Sequence, residues 1–196
     1  MPKLYFRYGA MNSSKTANLL MVAHNYRSQG KNILLMKPSI DTRFGESVIA
    51  SRAVGGMNAD IVIFPDTNII TSIEFGVLGG LIPADIHCVL VDEAQFLSEK
   101  NVEELRRMTD HFPVICYGLR SDYRTRLFTG AKRLMELADT IEEVKTTCVQ
   151  CDRKAIINAK FNQDGETKVI IREGSSKPDL GAEEKYQAMC WKCWQC

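Results

Sequence analysis

Three groups of residues in this chain are of types and spacings that do chemistry: Gly9 to Thr16, the pair Asp92-Glu93, and the doublets Cys148/Cys151 and Cys190/Cys193. Gly9-Ala10-Met11-Asn12-Ser13-Ser14-Lys15-Thr16 approaches the phosphate-loop pattern G-x-x-x-x-G-K-[ST]. Such a loop aims backbone N–H groups and the positive end of a helix dipole at an anion. Lys15 and Thr16 would then hold the phosphates and Mg²⁺. Ser14 stands where the pattern has its second glycine. Glycine is used there for its conformational freedom, so a Cβ is expected to crowd the turn or the phosphate. The competing reading of Asn12, Ser13 and Ser14 is an ordinary polar turn capping a helix.

The apolar run Cys88-Val89-Leu90-Val91 stops at Asp92-Glu93, the layout of a Walker B strand. Its aspartate holds Mg²⁺ beside the phosphate loop, and the next glutamate can act as general base on an attacking hydroxyl or water. The alternative is a turn bearing two solvated acids. The cysteines read C-x2-C…C-x2-C, which suits Zn²⁺ in a tetrahedron of four thiolates with no open coordination position. That metal is therefore expected to be structural. A redox doublet is the competing reading, and it needs only one of the pairs.

The elements that must position these groups follow from periodicity. Residues 3–8 read as a strand, and Leu19, Leu20, Val22 and Ala23 recur at helical spacing up to Ser28. Further strands are expected at 32–37, 61–64, 88–91, 114–117 and 140–144, with helices over 69–80, 101–111 and 131–138. Residues 51–56 read as irregular. This alternation predicts an α/β fold with a mostly parallel sheet covered on both faces. From Cys148 the pattern changes to short β-like runs, 155–161 and 168–172, about the turn Asn162-Gln163-Asp164-Gly165. The expected division is a nucleotide-binding domain over 1–145 and a zinc-binding subdomain over 146–196. A net charge of +1 gives no electrostatic reason to expect nucleic acid or an anionic membrane as partner. With no membrane-length apolar run and no signal-peptide core, the expected location is the cytoplasm.

The order of phosphate loop, Asp41-Thr42-Arg43, Asp92-Glu93-Ala94-Gln95-Phe96, Tyr117-Gly118-Leu119, the cysteine doublets and Gly181-Ala182-Glu183-Glu184-Lys185-Tyr186 resembles the zinc-containing, tetrameric cytosolic thymidine kinases. The resemblance spans nearly the whole chain. It implies a RecA-like domain followed by a zinc-bound lasso, and ATP-dependent phosphorylation of the thymidine 5′-hydroxyl. It implies Glu93 as the base and Arg43 as a cation steadying the transferring phosphoryl group. Gly9 to Thr16, Asp41 and Asp92 become the ATP and Mg²⁺ residues. Met11, Phe96, Leu119, Tyr123 and Phe128 become the base pocket, with Gly181 and Tyr186 contributed by the lasso. Homotetramer formation and feedback inhibition by dTTP are implied as well. The departures from the family pattern are Ser14, Ala182, Asn158 near the expected position of the thymine methyl, and a long 174–180 loop. A different class of protein, a P-loop ATPase whose zinc ribbon binds nucleic acid or protein, shares the Asp92-Glu93-Ala94-Gln95 motif. A kinase with weak turnover because of Ser14 is a third reading.

Overall fold

The computed structural model describes residues 1–74, 85–164, 167–174 and 185–196. The elements run in the order β1 (Leu4–Tyr8), α1 (Lys15–Ser28), β2 (Asn32–Pro38), β3 (Val48–Ser51), β4 (Gly55–Asn58), β5 (Ile61–Ile63) and α2 (Ile69–Glu74). They continue with β6 (Ile86–Val91), α3 (Glu99–Met108), β7 (Val114–Gly118), α4 (Thr129–Leu137), β8 (Thr140–Glu143), β9 (Ile157–Asp164), β10 (Thr167–Ile171), β11 (Tyr186–Met189) and α5 (Trp191–Gln195).

The central sheet has six strands in the order β5-β2-β6-β7-β1-β8, and every pairing in it is parallel. Parallel strands need crossovers that cover both faces, so their inner strands are apolar throughout. Ile33 to Met36 and Cys88 to Val91 are accordingly all buried. One face packs Leu34, Met36, Val89 and Val91 against Val102, Leu105 and Leu134 from α3 and α4. The other packs Leu35, Leu90 and Tyr117 against Leu19, Leu20 and Ala23 of α1. The strand order puts β6 and β1 on either side of β7. The loops leaving their carboxyl ends, after Tyr8 and after Val91, therefore meet at one edge of the sheet, where ligands bind in open α/β folds.

Boundaries differ from the sequence reading where local chemistry intervenes. Helix α3 starts at Glu99, ahead of Asn101, because Ser98 forms a capping box: its Oγ accepts from the Asn101 N–H and the Asn101 side chain accepts from the Ser98 N–H. Residues 48–58, read as irregular past Ser51, form the antiparallel β3–β4 hairpin. The four residues of β4, Gly55-Gly56-Met57-Asn58, have no strand-like composition, and the pairing to β3 decides their conformation. Of the turn expected at 162–165, Asn162, Gln163 and Asp164 are instead paired within β9 to Val169, Lys168 and Thr167 of β10, and Gly165 lies outside the described residues. Only the first part of the expected 69–80 helix, α2, falls among the described residues.

The C-terminal lobe is a second, antiparallel sheet in the order β10-β9-β11, followed by α5. It has its own apolar cluster, built from Ala155, Ile157, Ala159, Phe161, Ala188, Met189 and Trp194 together with Cys148 and Cys190. One residue of the N-terminal phosphate loop, Ala10, belongs to that cluster. No helix among the described residues is long and apolar enough to cross a membrane.

Candidate active site

The loop after β1 needs Gly9 as glycine, because a Cβ there would lie 2.3 Å from the Val144 carbonyl oxygen and 2.4 Å from Ser13 Oγ. Asn12 and Ser14 both take left-handed backbone conformations, with φ of 59° and 62°. The conformation that the second glycine of the pattern supplies is thus present, adopted by serine at a cost of about 1–2 kcal/mol. Ser14 makes no side-chain capping hydrogen bond to α1, so the loop is not an ordinary capped turn. Lys15 is buried, and its Nζ donates to the Ala10 carbonyl at 2.8 Å and to Ser13 Oγ at 3.2 Å. Burial pulls the Lys15 ammonium down to about 8, against the opposing influence of Glu93 and Asp92.

Across the sheet edge, Thr16 Oγ1 donates to Asp92 Oδ2 at 3.0 Å. Burial, reinforced by the neighbouring Glu93 charge, pushes the Asp92 carboxyl up to about 7. Glu93 itself takes a left-handed backbone conformation, with φ 49°. Its Oε1 accepts from Arg43 Nη2 at 2.5 Å and its Oε2 from Gln95 Nε2 at 2.5 Å. Arg43 Nε donates to Asp41 Oδ1 at 2.6 Å. Burial alone would depress the Arg43 guanidinium, but Glu93 and Asp41 on either side raise it above its ordinary value. Burial alone would likewise raise Asp41, yet Arg43 and Lys37 hold it below its ordinary value.

Two residues of this network carry no role in the sequence reading. Lys37, fully buried at the end of β2, donates through Nζ to the Val48 carbonyl at 2.8 Å and to that of Gly45 at 3.3 Å. It also pairs with Asp41 at 3.3 Å, so it fixes both ends of the loop that carries Arg43. Its signal was a lysine inside an otherwise apolar strand. Gln95 holds Glu93 with its Nε2 while its Oε1 accepts from the Leu119 N–H at 2.9 Å. A Cβ on Gly118 would lie 2.6 Å from that same Oε1, which is why Tyr117 is followed by glycine.

Lys15 and Glu93 open onto one cleft of about 260 Å³. It is lined by Met11–Ala17, Arg43 and Phe44, Ala50–Ala53 at the tip of the β3–β4 hairpin, Glu93 and Leu119. Of the residues expected around a nucleobase, Met11 and Leu119 line this cleft. Phe96 and Phe128 pack edge to face at 5.6 Å, and Tyr123 and Tyr186 stand 6.5 Å apart. Lys160 Nζ of β9 lies over both tyrosine rings, 5.2 Å and 5.7 Å from their centroids. Asn158, expected near the thymine methyl, has its amide hydrogen-bonded to backbone: Oδ1 accepts from Met11 N–H and Nδ2 donates to the Ser121 carbonyl. Gly181 and Ala182 lie outside the described residues, as does most of the 174–180 loop.

The sulfurs of Cys148, Cys151, Cys190 and Cys193 all lie within 4.8 Å of one another. Cys151 Sγ is 3.7 Å from Cys190 Sγ and 3.6 Å from Cys193 Sγ. Thiolates about 2.3 Å from a tetrahedral zinc are separated by about 3.8 Å, so the four residues fit that ion. The Gln150 and Cys193 N–H groups point at the Cys148 and Cys190 sulfurs, at 3.4 Å and 3.5 Å, as the two knuckles require. Cys88 and Cys116 are buried apart from this cluster, and Cys196 is exposed.

The site thus joins a phosphate loop, an acid pair after an apolar strand, a bridging arginine and a cysteine tetrad. Comparison with known proteins bears on the same combination. A family model described as thymidine kinase matches residues 2–194. The thymidine kinase of Lactococcus lactis subsp. lactis is 43% identical over 194 residues, covering 98% of this chain and 96% of that protein. That of Lactiplantibacillus plantarum is 42% identical over 192 residues, covering 97% and 94%. That of Rhodopirellula baltica is 40% identical over 192 residues, covering 97% and 86%. Among solved structures, the Pif1 helicase of Candida albicans overlaps 73% of this chain and 36% of its own at 10% identity, with a TM-score of 0.42. Matched from end to end by the family model and at this identity by its members, the chain belongs to the thymidine kinase family.

Proposed function

We propose that the chain transfers the γ-phosphoryl group of ATP to the 5′-hydroxyl of thymidine, giving dTMP and ADP. The observation that carries this reading is the single cleft onto which Lys15, Thr16, Arg43 and Glu93 all open. Phosphoryl transfer asks a protein mainly to position two substrates and to offset negative charge. Gly9 to Thr16 cradle the triphosphate through backbone N–H groups, with Lys15 as the cation within the loop. Thr16 and Asp92 present adjacent oxygen ligands of the kind Mg²⁺ prefers and would hold that ion. When bound, Mg²⁺ neutralises charge on the β- and γ-phosphates.

Glu93 takes the 5′-hydroxyl proton as the 5′-oxygen bonds to the γ-phosphorus, and the bond from that phosphorus to the bridging oxygen breaks to release ADP. Arg43 already lies against Glu93 and lines the same cleft, so a cation stands beside the base where charge gathers on the transferring group. The Tyr123–Tyr186 pair, with Met11, Leu119, Phe96 and Phe128, forms the side of the site given over to the nucleoside, and Gly181 is part of the same proposal. Zn²⁺ on the four cysteines is structural. It ties the two ends of a lobe over 146–196 to each other, and that lobe follows a nucleotide-binding domain over 1–145. Family membership extends the proposal to a cytoplasmic homotetramer inhibited by dTTP.

The test is purified protein with Mg-ATP and a panel of thymidine, deoxycytidine and purine nucleosides, with product resolved by chromatography. The expected result is phosphorylated product from thymidine alone. ATP hydrolysis stimulated by nucleic acid, with no nucleotide product, would replace this reading by the ATPase one.

A further inference from the structure

The C-terminal lobe touches the phosphate loop at Ala10 and Met11, and the contacts are specific. Asn158, on β9, is buried. Its Oδ1 accepts from the Met11 N–H at 2.7 Å, and its Nδ2 donates to the Ser121 carbonyl at 3.0 Å. One side chain therefore joins the lobe, the phosphate loop and the chain after β7. Ala10, next to Met11, lies in the apolar cluster that contains Cys148, Cys190 and Trp194. The carbonyl of Ala10 accepts from Lys15 Nζ at 2.8 Å. The cation of the loop is thus held by a residue embedded in the lobe.

The loop needs such an outside anchor. Asn12 and Ser14, both non-glycine, sit at φ 59° and 62°. Residues in that region persist where their surroundings over-determine them. On one side α1 fixes the loop, and on the other Ala10 and Met11 are gripped by the lobe. The Met11 N–H is also committed to Asn158 as an anchor.

We propose that Asn158 is a positioning residue through which the zinc-bearing lobe sets the shape of the phosphate loop, and hence its affinity for the nucleoside triphosphate. The lobe then serves the ATP side of the site as well as the nucleoside side. This rests on the reading of Gly9 to Thr16 as the triphosphate cradle.

The test uses a fluorescent ADP analogue titrated into the full-length, zinc-loaded protein, with zinc content and thermal midpoint measured on each variant. Asn158→Ala removes both hydrogen bonds from a buried setting. It is expected to keep its zinc and to bind the analogue about ten-fold or more weakly. Asn158→Asp supplies a second readout. Protonated, its carboxyl has the shape of the amide, accepting from Met11 and donating to Ser121. Ionised, it turns an oxygen toward the Ser121 carbonyl. Its affinity relative to the wild type is therefore expected to approach parity at low pH and to fall as the pH rises. Among the described residues, Tyr8, Arg120 and Glu143 are the titratable groups that line a small cavity with Asn158, so the wild type measured over the same range corrects for them.

Retention of zinc and of affinity within about two-fold in the alanine variant would overturn the proposal. If that variant does not fold, a pH-independent ratio for the aspartate variant overturns it instead. A wild type that fails to bind the analogue would refute the cradle itself, an outcome separate from either of these.

Discussion

Replacing Glu93 by glutamine separates chemistry from binding, and the structure sets the size of each effect. Glutamine has the shape of the glutamate and meets the same left-handed backbone, at φ 49°. One of its terminal atoms can still accept from Arg43. The other becomes an NH₂ facing the Gln95 Nε2 that now donates to Glu93 Oε2 at 2.5 Å, so one hydrogen bond is lost. That loss costs about 1 kcal/mol. Against it, the like charge beside Asp92 disappears, and the Asp92 carboxyl relaxes downward from about 7. The charge of the Arg43 ion pair is lost as well, although Arg43 keeps Asp41, so the opposing effects leave a net destabilisation of about 1–2 kcal/mol. Lys15, Thr16 and the loop backbone are untouched, and ADP affinity should stay within a few-fold. Removing a general base, by contrast, costs about 10²- to 10⁴-fold in rate. Steady-state kinetics with Mg-ATP and thymidine should show kcat reduced by that factor, with KM for ATP little changed and the thermal midpoint lowered by no more than several degrees. Turnover within about five-fold of the wild type would refute the assignment of the base. A collapse of ADP affinity would show that Glu93 shapes the phosphate loop as well.

Other perturbations bear on neighbouring parts. Between the ordinary carboxylate range and about 7, native Asp92 keeps a proton that the unfolded chain has lost, so its contribution to stability falls as the pH rises through that window. Asp92→Asn should abolish that slope, worth on the order of a few kcal/mol, in urea midpoints taken at pH 5 and pH 8; equal slopes in the two proteins would contradict the buried-acid account. Ser14→Gly relieves left-handed strain of about 1–2 kcal/mol, while the added freedom of the unfolded chain takes back about 0.5–1 kcal/mol. The net expectation is a small stabilisation, and a urea midpoint shifted clearly downward would show that the Ser14 side chain makes a contact of its own. The only two tryptophans, Trp191 and Trp194, lie in α5 beside the second cysteine pair, so intrinsic tryptophan fluorescence reports on the lobe alone. Chelation of zinc should shift that emission to the red; an unchanged spectrum with the metal removed would refute the structural role of the ion.

The parts of the fold legible in the sequence are those where one local rule acts alone. Cys88 to Val91 and Ile33 to Met36 are apolar without interruption because both faces of a parallel sheet are covered, and no turn chemistry competes. Helix α1 follows directly from Lys15-Thr16 and its apolar spacing. The β3–β4 hairpin was not legible, since Gly55-Gly56 signals a loop and only pairing to Val48–Ser51 makes the segment a strand. A related reason holds at the end of β9: Asn162 and Asp164 have turn chemistry, yet their cross-strand partners Val169 and Thr167 hold them extended. At the site, the motif residues could be named from their spacing. Lys37, Gln95 and the anchoring role of Asn158 could not, because each acts through backbone groups distant in sequence. The Val48 carbonyl, the Leu119 N–H and the Met11 N–H become their partners only once the sheet edge is assembled.

The central claim is that triphosphate and nucleoside meet in one cleft between Lys15 and Glu93. A bisubstrate analogue in which adenosine and thymidine are joined 5′ to 5′ through four phosphates tests it most directly, by calorimetry against the free protein and against protein saturated with ADP or with thymidine. The account predicts one analogue per chain, bound more tightly than either half and excluded by either ligand alone. An analogue that displaces ADP while leaving thymidine bound, or that binds no better than ADP, would mean that the two substrates do not share that cleft.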